Sequence, residues 1–275
     1  TVYANNLGAL EAFFEAMAKH VDFASISAVG HRVVHGGPHF IRPQSLTAAV
    51  EADLRKLIPL APLHMPANLD GIAAARHRLP TALQYACFDT SFHADMPAVA
   101  QRTGVAPEME GGFIRRYGFH GLSYAFVVDD LAARAGQAAA RQRLLIAHLG
   151  AGASMAAIRN GKTVDTSMGF SALAGLPMAT RSGDIDPGLL LYLILEKNWD
   201  PTRLQHELYH EAGLLGLSGL SGDVETLLEA RDSLRAIEAL DQFTYQARKQ
   251  AGALIAAMGG VDRIIFTGGV GEHAP

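Results

Sequence analysis

Residues 144–165 read Leu144-Leu145-Ile146-Ala147-His148-Leu149-Gly150-Ala151-Gly152-Ala153-Ser154-Met155-Ala156-Ala157-Ile158-Arg159-Asn160-Gly161-Lys162-Thr163-Val164-Asp165. Leu144 to Ala147 is an apolar strand, and the glycine turn after it lets backbone N–H groups approach phosphate oxygens. In a dinucleotide-binding domain such a turn opens a helix. Here it opens a second strand, Ser154 to Ile158. Asn160-Gly161, the strongest short-range hairpin signal, then leads into a third strand, Thr163 to Asp165. The dinucleotide reading is therefore rejected. Taken alone, the glycines fit an empty hairpin turn as well as a ligand cradle.

Outward from this hairpin, helix and strand patterns alternate, which indicates an α/β architecture. Leu7, Leu10, Phe14 and Met17 recur at helical spacing with Asn6 as cap. A β-rich run, Ser25 to Val34, ends at Gly36-Gly37-Pro38. Leu46, Val50, Leu54 and Leu57 mark a second helix, and a third runs from about Pro66 to Arg78. Leu83 to Phe88 reads as a buried strand ending at Asp89. Asp186-Pro187, a cap followed by proline at the first helical position, opens a helix over Gly188 to Glu196. A long helix runs from about Ser233 to Met258 and closes at Gly259-Gly260. Ile264-Ile265-Phe266 is a final strand leading into Gly268-Gly269-Val270-Gly271.

The chain has 275 residues, 49% hydrophobic and 18% charged, with a net charge of −4. Charged residues usually make up about a quarter of a soluble protein, so a large buried fraction, including a subunit interface, is expected. The charge argues against a basic nucleic-acid surface. The single Cys87 leaves no internal disulfide or cysteine zinc site. The longest apolar run, Leu189 to Leu195, is far too short to span a bilayer. The expectation is a cytoplasmic protein with neither nucleic-acid nor membrane partners.

Other segments carry polar groups in apolar settings. Arg32 stands in the strand His31-Arg32-Val33-Val34-His35-Gly36-Gly37, where an arginine is costly unless it meets an anion or a carboxylate. A structural arginine–carboxylate pair is the competing reading. The His31/His35 spacing is a poor metal site, because a cation, Arg32, stands between them. Arg181, in Thr180-Arg181-Ser182-Gly183-Asp184-Ile185-Asp186-Pro187, precedes a helix N-terminus, whose dipole favours anions. Asp89 ends a strand, and Arg115-Arg116-Tyr117-Gly118-Phe119-His120-Gly121 is a further polar turn. Each has a bland reading as a satisfied loop group.

Together these segments resemble the acetate kinase family, which includes propionate kinases. Gly30-His31-Arg32-Val33-Val34-His35-Gly36-Gly37 is similar to one family signature. Asp165-Thr166-Ser167-Met168-Gly169-Phe170, running into Thr180 to Pro187, is similar to the other. Leu60-Ala61-Pro62-Leu63-His64, Phe88-Asp89-Thr90, Tyr117 to Gly121, His148-Leu149-Gly150 and Gly216-Leu217-Ser218-Gly219-Leu220-Ser221 also match, in order.

The resemblance implies the two-domain fold of acetate and sugar kinases, heat-shock ATPases and actin, with ribonuclease H-like domains. Residues 1–91 would be a partial N-terminal domain on the acyl-substrate side. Residues 92–275 would be the nucleotide-binding and dimerisation domain. The implied reaction is reversible, Mg²⁺- (or Mn²⁺-) dependent phosphoryl transfer from ATP to acetate, giving acetyl phosphate and ADP, in a homodimer. A carboxylate nucleophile is already ionised at neutral pH. Catalysis must therefore overcome anion–anion repulsion by positioning and charge stabilisation. Arginines and donor histidines suit that task.

The resemblance assigns Arg32 and Arg181 to the acetate and the transferring phosphoryl, His120 to the transition state, and Asp89 to orienting Arg181 or the metal shell. Val34, Leu63, Phe119 and Ala172 would form the methyl pocket. His64, His148, Gly150 and Gly152 would lie near the phosphates, and Asp223, Gly269, Val270 and Gly271 along the nucleoside. The chain also departs from the family. Ala172 replaces a proline of the methyl pocket, which admits propionate as an alternative substrate. Ala151 and His273 replace asparagines, and Glu225 replaces an arginine near the adenosine. The opening phosphate-loop strand and the metal-binding glutamate expected beyond Pro275 do not occur. The expectation is therefore a chain truncated at both ends with little activity of its own, or a non-catalytic nucleotide-binding or dimerisation fragment.

Overall fold

The computed structural model describes residues 6–110, 112–230 and 232–274, so the expectations attached to Thr1 and Pro275 lie outside the described residues. The chain divides into two compact units between Ala94 and Asp95.

In the first unit, α1 (Asn6–Met17) turns Phe14 inward against Ala75, Leu79 and Ala82, with Phe23, Ile26 and Val29 around them. α2 (Ala48–Lys56) is capped by Thr47, whose hydroxyl accepts from the Val50 N–H. α3 (Met65–Arg78) buries Met65, Leu69, Ile72 and Ala75 at helical spacing. β1 (Ala28–Val33), β2 (Gln44–Ser45) and β3 (Leu83–Phe88) form a sheet of order β1-β3-β2. β1 and β3 are parallel, with Arg32 beside Cys87 and Val33 beside Phe88.

Two expectations change here. β3 is buried on one face only: Gln84, Ala86 and Phe88 point inward, while Leu83 and Tyr85 are exposed. Arg32 lies on the open face of β1. The cost of burying an arginine in an apolar strand is therefore reduced, because the Arg32 side chain is 65% exposed.

The second unit is built on a sheet of order β6-β5-β4-β7. After α4 (Gly121–Ala135) come β4 (Leu144–Leu149), β5 (Ala153–Arg159) and β6 (Lys162–Thr166). The β5–β6 turn has φ of 55° at Asn160 and 71° at Gly161. Positive φ at both positions is the type I′ geometry that matches strand twist, and it explains the Asn-Gly pair. α5 (Pro187–Leu195) starts at Asp186, whose carboxylate accepts from the Gly188 N–H at 2.7 Å.

α6 (Gly213–Ser218) and α7 (Val224–Glu229) follow. α8 (Leu234–Met258) is capped by Ser233 and ended by Gly259 at φ 80°. β7 (Arg263–Thr267) then pairs in parallel with β4, and α9 (Gly269–His273) follows Gly268. β4 and β5 are buried nearly throughout, and α8 supplies Ala236, Ala239, Leu254 and Met258 to the core. By contrast, α5 is apolar along its length yet buries none of its residues. No helix among the described residues is long and apolar enough to cross a membrane.

Candidate active site

In the first unit the candidate residues gather where β1 and β3 end. Asp89 directly follows β3, and its N–H donates to the Val33 carbonyl at 3.0 Å. Its carboxylate, expected to orient Arg181 or the metal shell, accepts from Arg32. Arg32 Nε donates to Oδ1 at 3.0 Å and Oδ2 at 3.2 Å, and Nη2 donates to Oδ2 at 2.7 Å. The carboxylate-pair reading of Arg32 is thus what the geometry shows. The pair is lopsided: the Arg32 side chain is 65% exposed and that of Asp89 only 1%. A buried carboxylate grips the guanidinium through Nε and Nη2, while the arginine side chain stays largely exposed. The hydrogen bonds to Asp89 hold the arginine's pKa above its usual value, against the opposing effect of burial.

Val34 is buried beside this pair, and its N–H donates to Asn68 Oδ1 at 2.9 Å on α3. Leu63 and His64 lie half-buried in the turn that starts α3, with His64 at the cap position. Gly30, His31, Arg32, Asn68 and Gly71 line an open depression of about 470 Å³ there.

The second unit gathers the remaining residues around the hairpin turn. His120 precedes α4 in the left-handed conformation, φ 57° and ψ 18°. Such a conformation is uncommon outside glycine and is tolerated when its surroundings hold it. Here they do. His120 Nδ1 shares a hydrogen bond of 2.8 Å with Ser154 Oγ, which shares another of 2.5 Å with the Tyr124 hydroxyl. Tyr124 and Ser154 are fully buried, and burial drives the Tyr124 pKa far up, so the phenol keeps its proton. His148, on β4, meets Ser123 Oγ through Nδ1 at 3.1 Å and lies 4.4 Å from the His120 ring, centroid to centroid.

Gly152 closes this cluster. A Cβ placed on it would stand 3.4 Å from His120 Nε2 and 3.7 Å from Arg181 Nη1. The imidazole and the guanidinium thus lie within ordinary contact range of the hairpin turn. Arg181 Nη1 donates to the Ala172 carbonyl at 3.1 Å and contacts Met178 Sδ at 3.5 Å. Burial lowers its pKa, and Tyr209 offsets part of that effect. Phe119 and Ala172 are buried nearby in sequence and space.

On its other side the hairpin turn opens onto a cleft of about 580 Å³. Gly150, Ala151, Asp223, Val224, Glu225, Leu228, Glu229, Gly269, Val270, His273 and Ala274 line it. Asp223 caps α7, and the Thr226 hydroxyl and N–H hold its carboxyl below the usual range. Gly271 instead packs against Leu149 and Phe266. Gly268, at φ 84°, admits no Cβ, because the Leu149 backbone lies 2.5 Å from where one would be. Among the described residues no group of three or more His, Cys, Asp or Glu side chains is placed to hold a metal ion.

Sequence reasoning missed Ser123, Tyr124 and Ser154. A usable signal existed: Tyr124 stands one helical turn beyond His120, and Ser154 is the hairpin partner of His148. It also missed the apolar wall of Val224 and Leu228, which a short helix hides from periodicity.

This arrangement can be set beside known proteins. The acetokinase family pattern spans residues 1–275. The acetate kinase of Rhodopseudomonas palustris (strain TIE-1) is 49% identical over 249 residues, 90% of this chain and 62% of the relative. This chain thus spans less than two thirds of that relative's length. The crystal structure of Porphyromonas gingivalis acetate kinase superposes with a TM-score of 0.87 at 39% identity, covering 99% of this chain and 70% of the other. A propionate kinase from Francisella tularensis superposes at 0.90 with 34% identity, covering 98% and 70%. With its signature segments folded as two α/β units like those relatives, the chain belongs to the acetokinase family.

Proposed function

We propose that the protein catalyses reversible phosphoryl transfer between ATP and acetate, giving ADP and acetyl phosphate. One observation carries this reading: a single glycine turn lines a nucleotide-sized cleft on one side and touches Arg181 and His120 on the other. A polyphosphate lying in the cleft would end beside a half-buried guanidinium and an imidazole. One acetate oxygen attacks the γ-phosphorus, the bond to the β,γ-bridging oxygen breaks, and the electron pair leaves with ADP. No proton need move, so the protein's task is charge stabilisation. Two unit charges 4 Å apart near a protein surface interact by about 4 kcal/mol, roughly a thousandfold in rate. A half-buried cation aimed at the transferring group thus supplies a term of the required size.

In this reading Arg181 and His120 bind the transferring phosphoryl, with His148 supporting His120. Gly150 and Gly152 allow backbone approach to the phosphates. Asp223, Gly269 and Val270 lie along the nucleoside. In the first unit Arg32, held by Asp89, is the group for the acyl substrate, with Val34, Leu63 and His64 near it; in the second unit Phe119 and Ala172 are the apolar groups for its methyl. Mg²⁺ or Mn²⁺ enters as the nucleotide complex. The protein works in the cytoplasm as a homodimer, and the apolar, uncovered α5 is the surface such a dimer would bury.

Ala172 favours a second reading, propionate as acceptor, because its small side chain leaves room for one more methylene. That difference is worth about 1–3 kcal/mol in an apolar pocket. The similarity to a propionate kinase structure supports it. Hydroxamate trapping of the acyl phosphate with acetate, propionate and butyrate tests both readings in the native-length protein. Turnover with acetate is expected. A kcat/KM for propionate above that for acetate would transfer the assignment, and no turnover with any acid would remove it.

A further inference from the structure

The segment Gly213–Ser221 has no role in the account above, yet it lies against the loop that carries Arg181. The Leu214 N–H donates to the Met178 carbonyl at 2.8 Å, and the Leu215 N–H to the Ala179 carbonyl at 2.9 Å. Just before it, residues Glu207–Glu211 form a π-helical turn, a local geometry that recurs at functional sites. This turn presents two carbonyls to the same loop. Leu208 accepts from the Ser182 N–H at 3.2 Å, and Tyr209 accepts from the Thr180 hydroxyl at 2.8 Å. The Ala212 N–H donates back to the Thr180 carbonyl at 3.1 Å.

Gly213 stands at the centre. Its φ is +60°, and a Cβ there would strike the Met178 carbonyl oxygen and come within 2.6 Å of the Arg181 carbonyl oxygen and 3.0 Å of the Arg181 nitrogen. Every one of these neighbours is backbone, so none yields by a rotamer change. Any side chain at residue 213 must displace the main chain of Arg181 itself.

We propose that Gly213, together with the π-helical turn before it, is the positioning element for Arg181. It fixes the main chain from which the guanidinium extends. This rests on the reading of Arg181 as a group that contacts the transferring phosphoryl. A displacement near 1 Å at a catalytic group costs about a hundredfold in rate.

The test is a mutant cycle in the native-length protein, with folding followed by circular dichroism and turnover by hydroxamate trapping. Gly213→Ala is expected to lower kcat by about 10–100-fold with the KM for ATP within about threefold of wild type. The double variant Gly213→Ala/Arg181→Ala is expected within about twofold of Arg181→Ala alone, because both changes remove the same contribution. Gly259→Ala is the control. It places alanine at a similar positive φ in open space, and wild-type turnover is expected. Should Gly213→Ala not fold, Thr180→Val takes its place. It removes the hydroxyl bond to Tyr209, with an expected loss of about 3–10-fold, again absent when Arg181 is already alanine.

Full activity of the folded Gly213→Ala protein, or losses that multiply with that of Arg181→Ala, overturns the inference. A wild type without turnover, or Arg181→Ala at the wild-type rate, overturns the functional reading beneath it.

Discussion

The two units each present one arginine, and they hold it in opposite ways. Arg32 is mostly exposed and gripped edge-on by the buried carboxylate of Asp89. Arg181 is half-buried, donates to the carbonyl of Ala172 and contacts the sulfur of Met178. The electrostatics differ accordingly: pairing raises the pKa of Arg32, whereas burial lowers that of Arg181. A carboxylate partner fixes direction but cancels charge, so Arg32 with Asp89 offers an oriented donor edge. The Ala172 carbonyl fixes the position of Arg181 Nη1. In a low-dielectric setting a positive charge acts strongly on an anion. The first arrangement suits recognition of a substrate carboxylate, and the second suits stabilisation of charge that develops during transfer.

Breaking the second arrangement should have the largest effect. Arg181→Ala is expected to lower kcat by about 10²–10³-fold, the usual cost of removing a preorganised donor. Arg181→Lys should recover little, because an ammonium lacks the planar fork. Steady-state kinetics with saturating acetate and ATP read this out. Folding should show the reverse order. Burial disfavours the charged form of Arg181 in the native state, so its removal is expected to leave the thermal midpoint unchanged or raised. Arg32→Ala strands the buried Asp89 carboxylate and is expected to cost about 1–3 kcal/mol of stability, readable by urea unfolding.

Gly152→Ala probes the junction between the cleft and the cationic cluster. Its Cβ would stand in ordinary contact with His120 Nε2 and Arg181 Nη1 and occupy space through which a phosphate would approach, so a loss of about 3–10-fold in kcat is expected, with no change in fold.

The smallest effect concerns a clamp far from the site. Arg143 donates to Asp262 and to the Gly259 carbonyl, holding the Asp262 carboxyl down to about 2 from its ordinary 3.8. The folded pKa is the depressed one, so the pair's contribution is complete above pH 3.8 and fades as pH falls towards 2. Asp262→Asn should therefore lose slight stability at neutral pH, and its midpoint should converge on that of wild type in acid. A thermal-midpoint series across that range checks it.

Much of this was legible in the chain itself. The Asn160-Gly161 turn, the Asp186-Pro187 start and the Ser233-to-Gly259 limits of α8 are local signals with local causes. The structure follows them within a residue or so. Facing was less legible. Leu83 to Phe88 looks buried by composition, yet Leu83 and Tyr85 are exposed. Burial depends on what packs on each face of a strand, not on the strand alone. The pairing of Arg32 with Asp89 joins residues on parallel neighbouring strands, a contact that register sets and spacing does not reveal. Gly213 was invisible for the same reason: its need to be glycine comes from the backbone of a loop more than 30 residues earlier.

The contrast between the two arginines has one most direct measurement. Replacing Arg181 should leave a half-buried gap beside the Ala172 carbonyl into which free guanidinium ion can enter, whereas replacing Arg32 leaves the Asp89 carboxylate beside open solvent, where a bound ion lacks the strand that aims the arginine. Turnover of Arg181→Ala and Arg32→Ala should be followed as guanidine hydrochloride is added at concentrations below those that unfold the protein. The account predicts recovery of about tenfold or more for Arg181→Ala and none for Arg32→Ala. Recovery in Arg32→Ala alone, or in neither, would contradict it.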